Sequence, residues 1–276
     1  MMIFTYNLWY FILTQISRKM VECTAPKLSD FGLSTSSYDV FTRTQCSFPR
    51  AVLLIYRFLM TGYFLGYQIY LWANVFTIHD YIFMTDWTYT VFTFYSLIAL
   101  INLITDMSLQ RCYDTSHASN VLKGRHMIQW LFYNVIVTWT CLVLVVFWGA
   151  LYDPRYPNWM FDISCHALPG VFSVLELAFT ATPCRLAHII YPMIYGLLYL
   201  TFTLVYWGTG HPPIYSILDY SGNPGLATGS ILGMVGFMLL FHPLVWGLTK
   251  LRGSVAGRLN CSQDLHGDRH ELIDRM

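Results

Sequence analysis

The stretch ISCHALPGVFSVLELAFTATP, residues 163–183, contains no aspartate, lysine or arginine and a single glutamate, Glu176, ten residues after His166. About 20 apolar residues cross a hydrocarbon core of about 30 Å, so this run has the length of a membrane span. An ionisable group near the centre of such a span costs about 2.5–3.5 kcal/mol on insertion scales, so Glu176 needs a partner or a function.

The rest of the chain repeats the pattern. Its 276 residues are 55% hydrophobic and 11% charged, against roughly 25% charged residues in soluble domains. Six stretches are long enough to span: 51–75, 87–105, 127–151, 163–182, 187–208 and 226–248. The fold class expected is an all-α integral membrane protein, a six-transmembrane-helix bundle. Residues 1–50 form a polar N-terminal segment with a short apolar start, 51–249 the membrane domain, and 250–276 a tail.

Fourteen of the sixteen lysines and arginines fall on one side of that arrangement: Arg18, Lys19, Lys27, Arg43, Arg50, Arg111, Lys123, Arg125, Arg185, Lys250, Arg252, Arg258, Arg269 and Arg275. Arg155 alone faces the other side. This asymmetry orients the bundle with both termini cytoplasmic, in either the plasma membrane or the endoplasmic reticulum. The sixteenth cation, Arg57, lies within the first span, where snorkelling toward the cytoplasmic edge is the expectation and pairing with Glu176 the alternative.

Residues 1–16 are apolar but short, without a preceding basic region or a small-residue cleavage site, and read as an interfacial segment or extension. Residues 29–37 (SDFGLSTSS) and the tail read as solvated. Trp72, Trp87, Trp148, Trp159, Trp207 and Trp246 sit near span ends, where amphipathic rings anchor at headgroup level. Pro192 and Pro243 predict local kinks, and the small pair Gly229 and Gly233 predicts close packing within the bundle.

The seven cysteines show no paired CxxC spacing. Cys184 and His188 would share a helical face, but two ligands without a second pair do not make a zinc site. No metal, organic cofactor or nucleic-acid partner is expected; the partners indicated are membrane lipids. Six spans with one internal carboxylate and no visible repeat give a transporter little support.

In this topology three connections, 76–86, 152–162 and 209–225, meet at the outer face. Thr85 opens the second span and His166 the fourth, while His211, Tyr215 and Asp219 lie in the last connection. A threonine hydroxyl becomes a nucleophile when a neutral imidazole takes its proton. The bland readings are an N-cap for Thr85 and an interfacial or packing residue for His166. Glu176 lies about 15 Å deeper than His166 and roughly 80° around the helix, so it is no direct partner of that imidazole. Desolvation there favours a neutral carboxyl, able to donate a hydrogen bond to another helix or to a lipid polar group. His211 and Asp219 complete the set of candidate pocket or structural polar residues.

Four motifs carry a family resemblance: MTDWTYTVFTFYSLIALINLITD (84–106), VLVVFWGALYDPRYP (143–157), CHALPGVFSVLEL (165–177) and VYWGTGHPPIYSILDY (205–220). In this order they resemble the rolling stone family, associated in insects with myoblast fusion. That family is distantly similar to the androgen-induced, FAR-17a type membrane proteins, which include hydrolases of fatty acid esters of hydroxy fatty acids. The resemblance spans about residues 47–251. It implies that a threonine at the start of one span and a histidine at the start of a later one form a catalytic pair, here Thr85 and His166, with the histidine-to-glutamate spacing reproduced by Glu176. The hydrolase branch has a further histidine three residues before the catalytic one, where this chain has Ile163. The function implied is hydrolysis of a lipid ester; the alternative is a non-catalytic membrane protein acting in cell fusion or adhesion.

Overall fold

The computed structural model describes residues 28–35, 39–45, 48–75, 77–112, 124–155 and 157–273; side chains are described as far as residue 257, apart from 28, 39, 78 and 110–112. The apolar start at 1–16, Cys23, Cys46 and the Cys261 side chain lie outside the described residues. Residues up to Gly32 form a unit of their own, of which Leu28–Phe31 is a 3-10 turn. Among the described residues the second unit holds six helices long and apolar enough to cross a membrane: α1 (Arg50–Asn74), α2 (Met84–Cys112), α3 (Gly124–Val146), α4 (Trp159–Phe179), α5 (Ile190–Gly208) and α6 (Pro224–Ile273). The described residues contain one isolated β-bridge, Thr44 with Thr180, and no named strand.

The spans bury polar and apolar side chains together and leave large apolar residues exposed on their outer faces. Along α1 the buried positions are Leu53, Arg57, Met60, Thr61, Phe64, Gln68 and Leu71, a stripe at three- and four-residue spacing. Ile55, Phe58, Leu59 and Ile69 stay exposed on the opposite face. In water the exposed apolar face would be a liability. In lipid, exposed apolar side chains lose nothing, so association rests on close packing and interhelical hydrogen bonds.

The bundle is centred on α3, whose residues from Tyr133 to Leu142 are all buried. Phe64, Phe92, Tyr95, Trp130 and Tyr133 belong to one packed cluster; Met84, Trp139, Tyr199 and Met238 belong to a second, toward the end carrying the connections before α2 and α6. The N-terminal segment enters the first cluster through Phe41, which packs on His126 and Trp130. Its backbone is tied to the end of α4 by Gln45 N–H donating to the Phe179 carbonyl (2.9 Å) and Ala181 N–H to the Arg43 carbonyl (3.1 Å).

Two expectations are corrected. The fourth span runs Trp159–Phe179, earlier than 163–182. Asn158 caps it by accepting from Phe161 N–H (3.4 Å). Pro169, which cannot donate a backbone bond, follows a π-helical turn at Ile163–Ala167 that widens the ladder. At the C-terminus, α6 continues as helix through the tail to Ile273. Finally, no atom outside the helix itself lies within 4 Å of a Cβ built at Gly229 or Gly233, so these glycines are not the close-packing contact that their spacing predicts.

Candidate functional site

The carboxylate that marks the fourth span is paired. Arg57 of α1 donates from Nη1 to Glu176 Oε1 at 2.7 Å, and Tyr95 of α2 donates from its hydroxyl to Oε2 at 2.7 Å. Relative exposure is 1% for the arginine and 0% for Glu176 and Tyr95, so Arg57 does not snorkel as expected. Seven residues into α1, about 10 Å from its start, its side chain turns inward because Glu176 neutralises it there. Glu176 thus engages both partners, one through each carboxyl oxygen. Neither Glu176 nor Arg57 is part of the wall of the cavity at Thr85. The cluster fastens three spans together.

A cavity of about 170 Å³ lies instead among α2, α3, α5 and α6, and Thr85 is part of its wall. Its other walls include Trp139, Gly196, Tyr199, Tyr215 and Met238, so the lining is predominantly apolar and suits a hydrocarbon chain. Thr85 is the second residue of α2 and does not cap it: the Phe83 carbonyl receives Asp86 N–H (3.2 Å) and Trp87 N–H (3.4 Å), leaving the threonine side chain free of cap duty. Tyr215, from the last connection, accepts from Met84 N–H at 2.9 Å and lies within reach of the Thr85 hydroxyl. Burial pushes its phenol up to about 12, which keeps it a neutral donor at physiological pH.

His166 is buried in the π-helical turn of α4 and is not part of the cavity wall. Phe147 stands between the two. It opens a π-helical turn, Phe147–Leu151, that prolongs α3, and its ring stacks on the imidazole at 3.5 Å and 5° while also lining the cavity. The imidazole Nδ1 makes no hydrogen bond of ordinary geometry, and none joins Thr85 to His166 among the described residues. The fold thus brings Thr85, Tyr215 and Phe147 to one cavity and His166 to the far face of Phe147.

The remaining candidates have local roles. His211 is exposed, stacks on Tyr206 (4.3 Å) and meets Thr209 Oγ1 at 3.0 Å through Nδ1. Asp219 accepts from Ser221 N–H (3.1 Å) and Gly222 N–H (2.8 Å), and a Cβ at position 222 would overlap that carboxylate. Both residues shape the turn that delivers Tyr215, and neither lines the cavity. Sequence reasoning missed Phe147, Trp139 and Gly196. In a chain that is 17% aromatic, no local signal separates Phe147 from its neighbours.

Cys184, paired in the sequence reading with His188, lies with its Sγ 3.9 Å from His242 Nε2, while His188 packs edge-on to Trp130 at 4.8 Å. No group of three potential metal ligands gathers among the described residues. Burial pushes the Cys184 thiol up to about 12, so at pH 8 the reactive thiolate is nearly absent. Iodoacetamide at pH 8 is expected to leave Cys184 unmodified in the native protein and to alkylate it after denaturation, as read by peptide mass spectrometry. Rapid native modification would contradict the burial.

Comparison with known proteins adds three findings. A family model described as protein rolling stone matches residues 21–263. The protein rolling stone of Drosophila melanogaster is similar at 25% identity over 245 residues, covering 81% of this chain and 87% of that protein. No solved structure matches.

Proposed function

The chain belongs to the rolling stone family, and from that membership and the cavity at Thr85 we propose that it hydrolyses a lipid ester of the kind in which a fatty acid is joined to a hydroxy fatty acid. The observation carrying this reading is a hydroxyl at the wall of an apolar, chain-sized cavity, with an imidazole one aromatic ring away. Phe147 swings aside, His166 takes the Thr85 proton, and Oγ1 attacks the ester carbonyl. The alkoxide of the hydroxy acid leaves with a proton from the imidazolium, giving an acyl-threonine. Water, activated by the same imidazole, then releases the fatty acid. A substrate dissolved in the bilayer reaches such a site without crossing water. Both termini face the cytoplasm in this reading, and the cavity end faces the opposite side.

One observation favours the second reading, a non-catalytic role in cell fusion or adhesion: His166 is stacked away from Thr85. The two are separated by labelling the purified protein in detergent with a fluorophosphonate. Hydrolysis predicts labelling of the wild type that disappears in Thr85→Ala and in His166→Ala while both variants stay monodisperse. A folded wild type that takes no label would remove the hydrolase reading.

A further inference from the structure

At the opposite end of the bundle from Thr85, where α4 ends and α5 begins, an open groove of about 400 Å³ is lined by Gln45, Pro183, Cys184, Lys250, Arg252 and Ser254 among others. No carboxylate lines it. Arg252 is held rigidly: its guanidinium donates to the Leu177 carbonyl and, at 2.9 Å, to the Thr182 carbonyl. It thereby offsets the negative end of the α4 dipole, which would otherwise repel an anion from this place. Lys250, exposed on the same helix, forms no ion pair among the described residues, and the Gln45 side-chain amide no hydrogen bond. The groove therefore holds a positive charge and spare N–H donors with no acceptor for them among the described residues.

The surroundings are apolar. Leu248 and Leu251 are exposed beside Lys250 on α6, and Leu186 is exposed two residues after Cys184. A charged head taken by the groove would lie next to a hydrocarbon-facing surface on two helices. Basic pockets between transmembrane helices at a membrane surface hold the heads of anionic lipids.

We infer that this groove binds the phosphate of an anionic phospholipid: Lys250 contacts the phosphate oxygens, Gln45 donates a further hydrogen bond, Arg252 supplies fixed positive potential, and the acyl chains run along Leu248 and Leu251. The site is separate from the Thr85 cavity and does not depend on any hydrolase activity. Ammonium and phosphate interact by charge without a required geometry, so lysine suffices as the direct contact.

The test is native mass spectrometry of the full chain in detergent with equal amounts of phosphatidic acid and phosphatidylcholine. The expected result is retention of phosphatidic acid at several-fold higher occupancy, reduced at least three-fold in Lys250→Gln and in Gln45→Leu. Arg252→Gln is unsuited as the sole variant because it also uncaps α4, whereas Lys250→Gln removes no internal bond. Equal retention of the two lipids, or a preference unchanged by Lys250→Gln in a protein with wild-type melting, would overturn the proposal. Millimolar inorganic phosphate is expected to leave the lipid adduct in place; its displacement by free phosphate would overturn the lipid as the ligand.

Discussion

Replacing Glu176 by alanine is expected to destabilise the protein by about 3–5 kcal/mol, because it strands the Arg57 charge inside the bundle. Arg57 and Glu176 are 1% and 0% exposed, and their 2.7 Å contact spans α1 and α4. Tyr95 loses an acceptor in the same change, since its hydroxyl donates to the other carboxylate oxygen. A charge enclosed by protein has no water to turn to, and rotating Arg57 outward would require repacking its neighbours Met60 and Phe64, both almost wholly buried. The expected readout is a large loss of the monodisperse fraction in detergent and a melting transition lowered well beyond that of surface variants. Replacing both partners, as Arg57→Leu with Glu176→Leu, is expected to recover most of the loss, because the cost lies in the unpaired charge more than in the missing contact. Wild-type melting of Glu176→Ala alone would show that the pair is not formed in the membrane.

The second large effect is expected at Gly196 of α5. A Cβ built there falls 2.5 Å from Trp139 Cζ2 and 3.2 Å from the Met238 methyl, so even alanine requires the indole to move. Trp139 is 4% exposed, and its Nε1 donates to the Pro192 carbonyl at 2.8 Å. Overpacking of this kind costs about 1–3 kcal/mol. Separating the indole N–H from its carbonyl in apolar surroundings adds about 1–3 kcal/mol. Gly196→Ala is therefore expected to lower the melting temperature clearly and to reshape the cavity, since Gly196 and Trp139 both line it. In the Trp139→Phe background, which removes both the crowding atom and the N–H, the added effect of Gly196→Ala is expected to shrink. A full, additive penalty in that background would show that the glycine is required for some other reason.

These two sites show how far sequence reasoning reaches. Membrane residence and the number of spans follow from local properties, namely the length of apolar runs and the charges of the segments between them. Those properties act wherever each segment meets lipid, so they can be read without knowing the neighbours. Glu176 was conspicuous for the same reason: a carboxylate in an apolar run is anomalous in isolation. The placement of Thr85 at the start of α2, and of the connections around it at one end, follows from six successive crossings.

The partners were decided elsewhere. That Arg57 turns inward, that Phe147 separates His166 from the Thr85 cavity, and that Gly229 and Gly233 are left unpacked while Gly196 receives an indole all depend on the rotation of each helix about its own axis. Hydropathy carries little of that information, because lipid accepts an apolar face in any orientation. The start of α4 moved for a related reason: Pro169 is accommodated by a π-helical turn, which keeps an interrupted ladder helical and advances its register by one residue. Sequence alone determined that the chain spans the membrane and how often, since partition into lipid is a property of each segment. The tertiary structure decided which polar groups meet, since van der Waals packing and interhelical hydrogen bonds are properties of pairs.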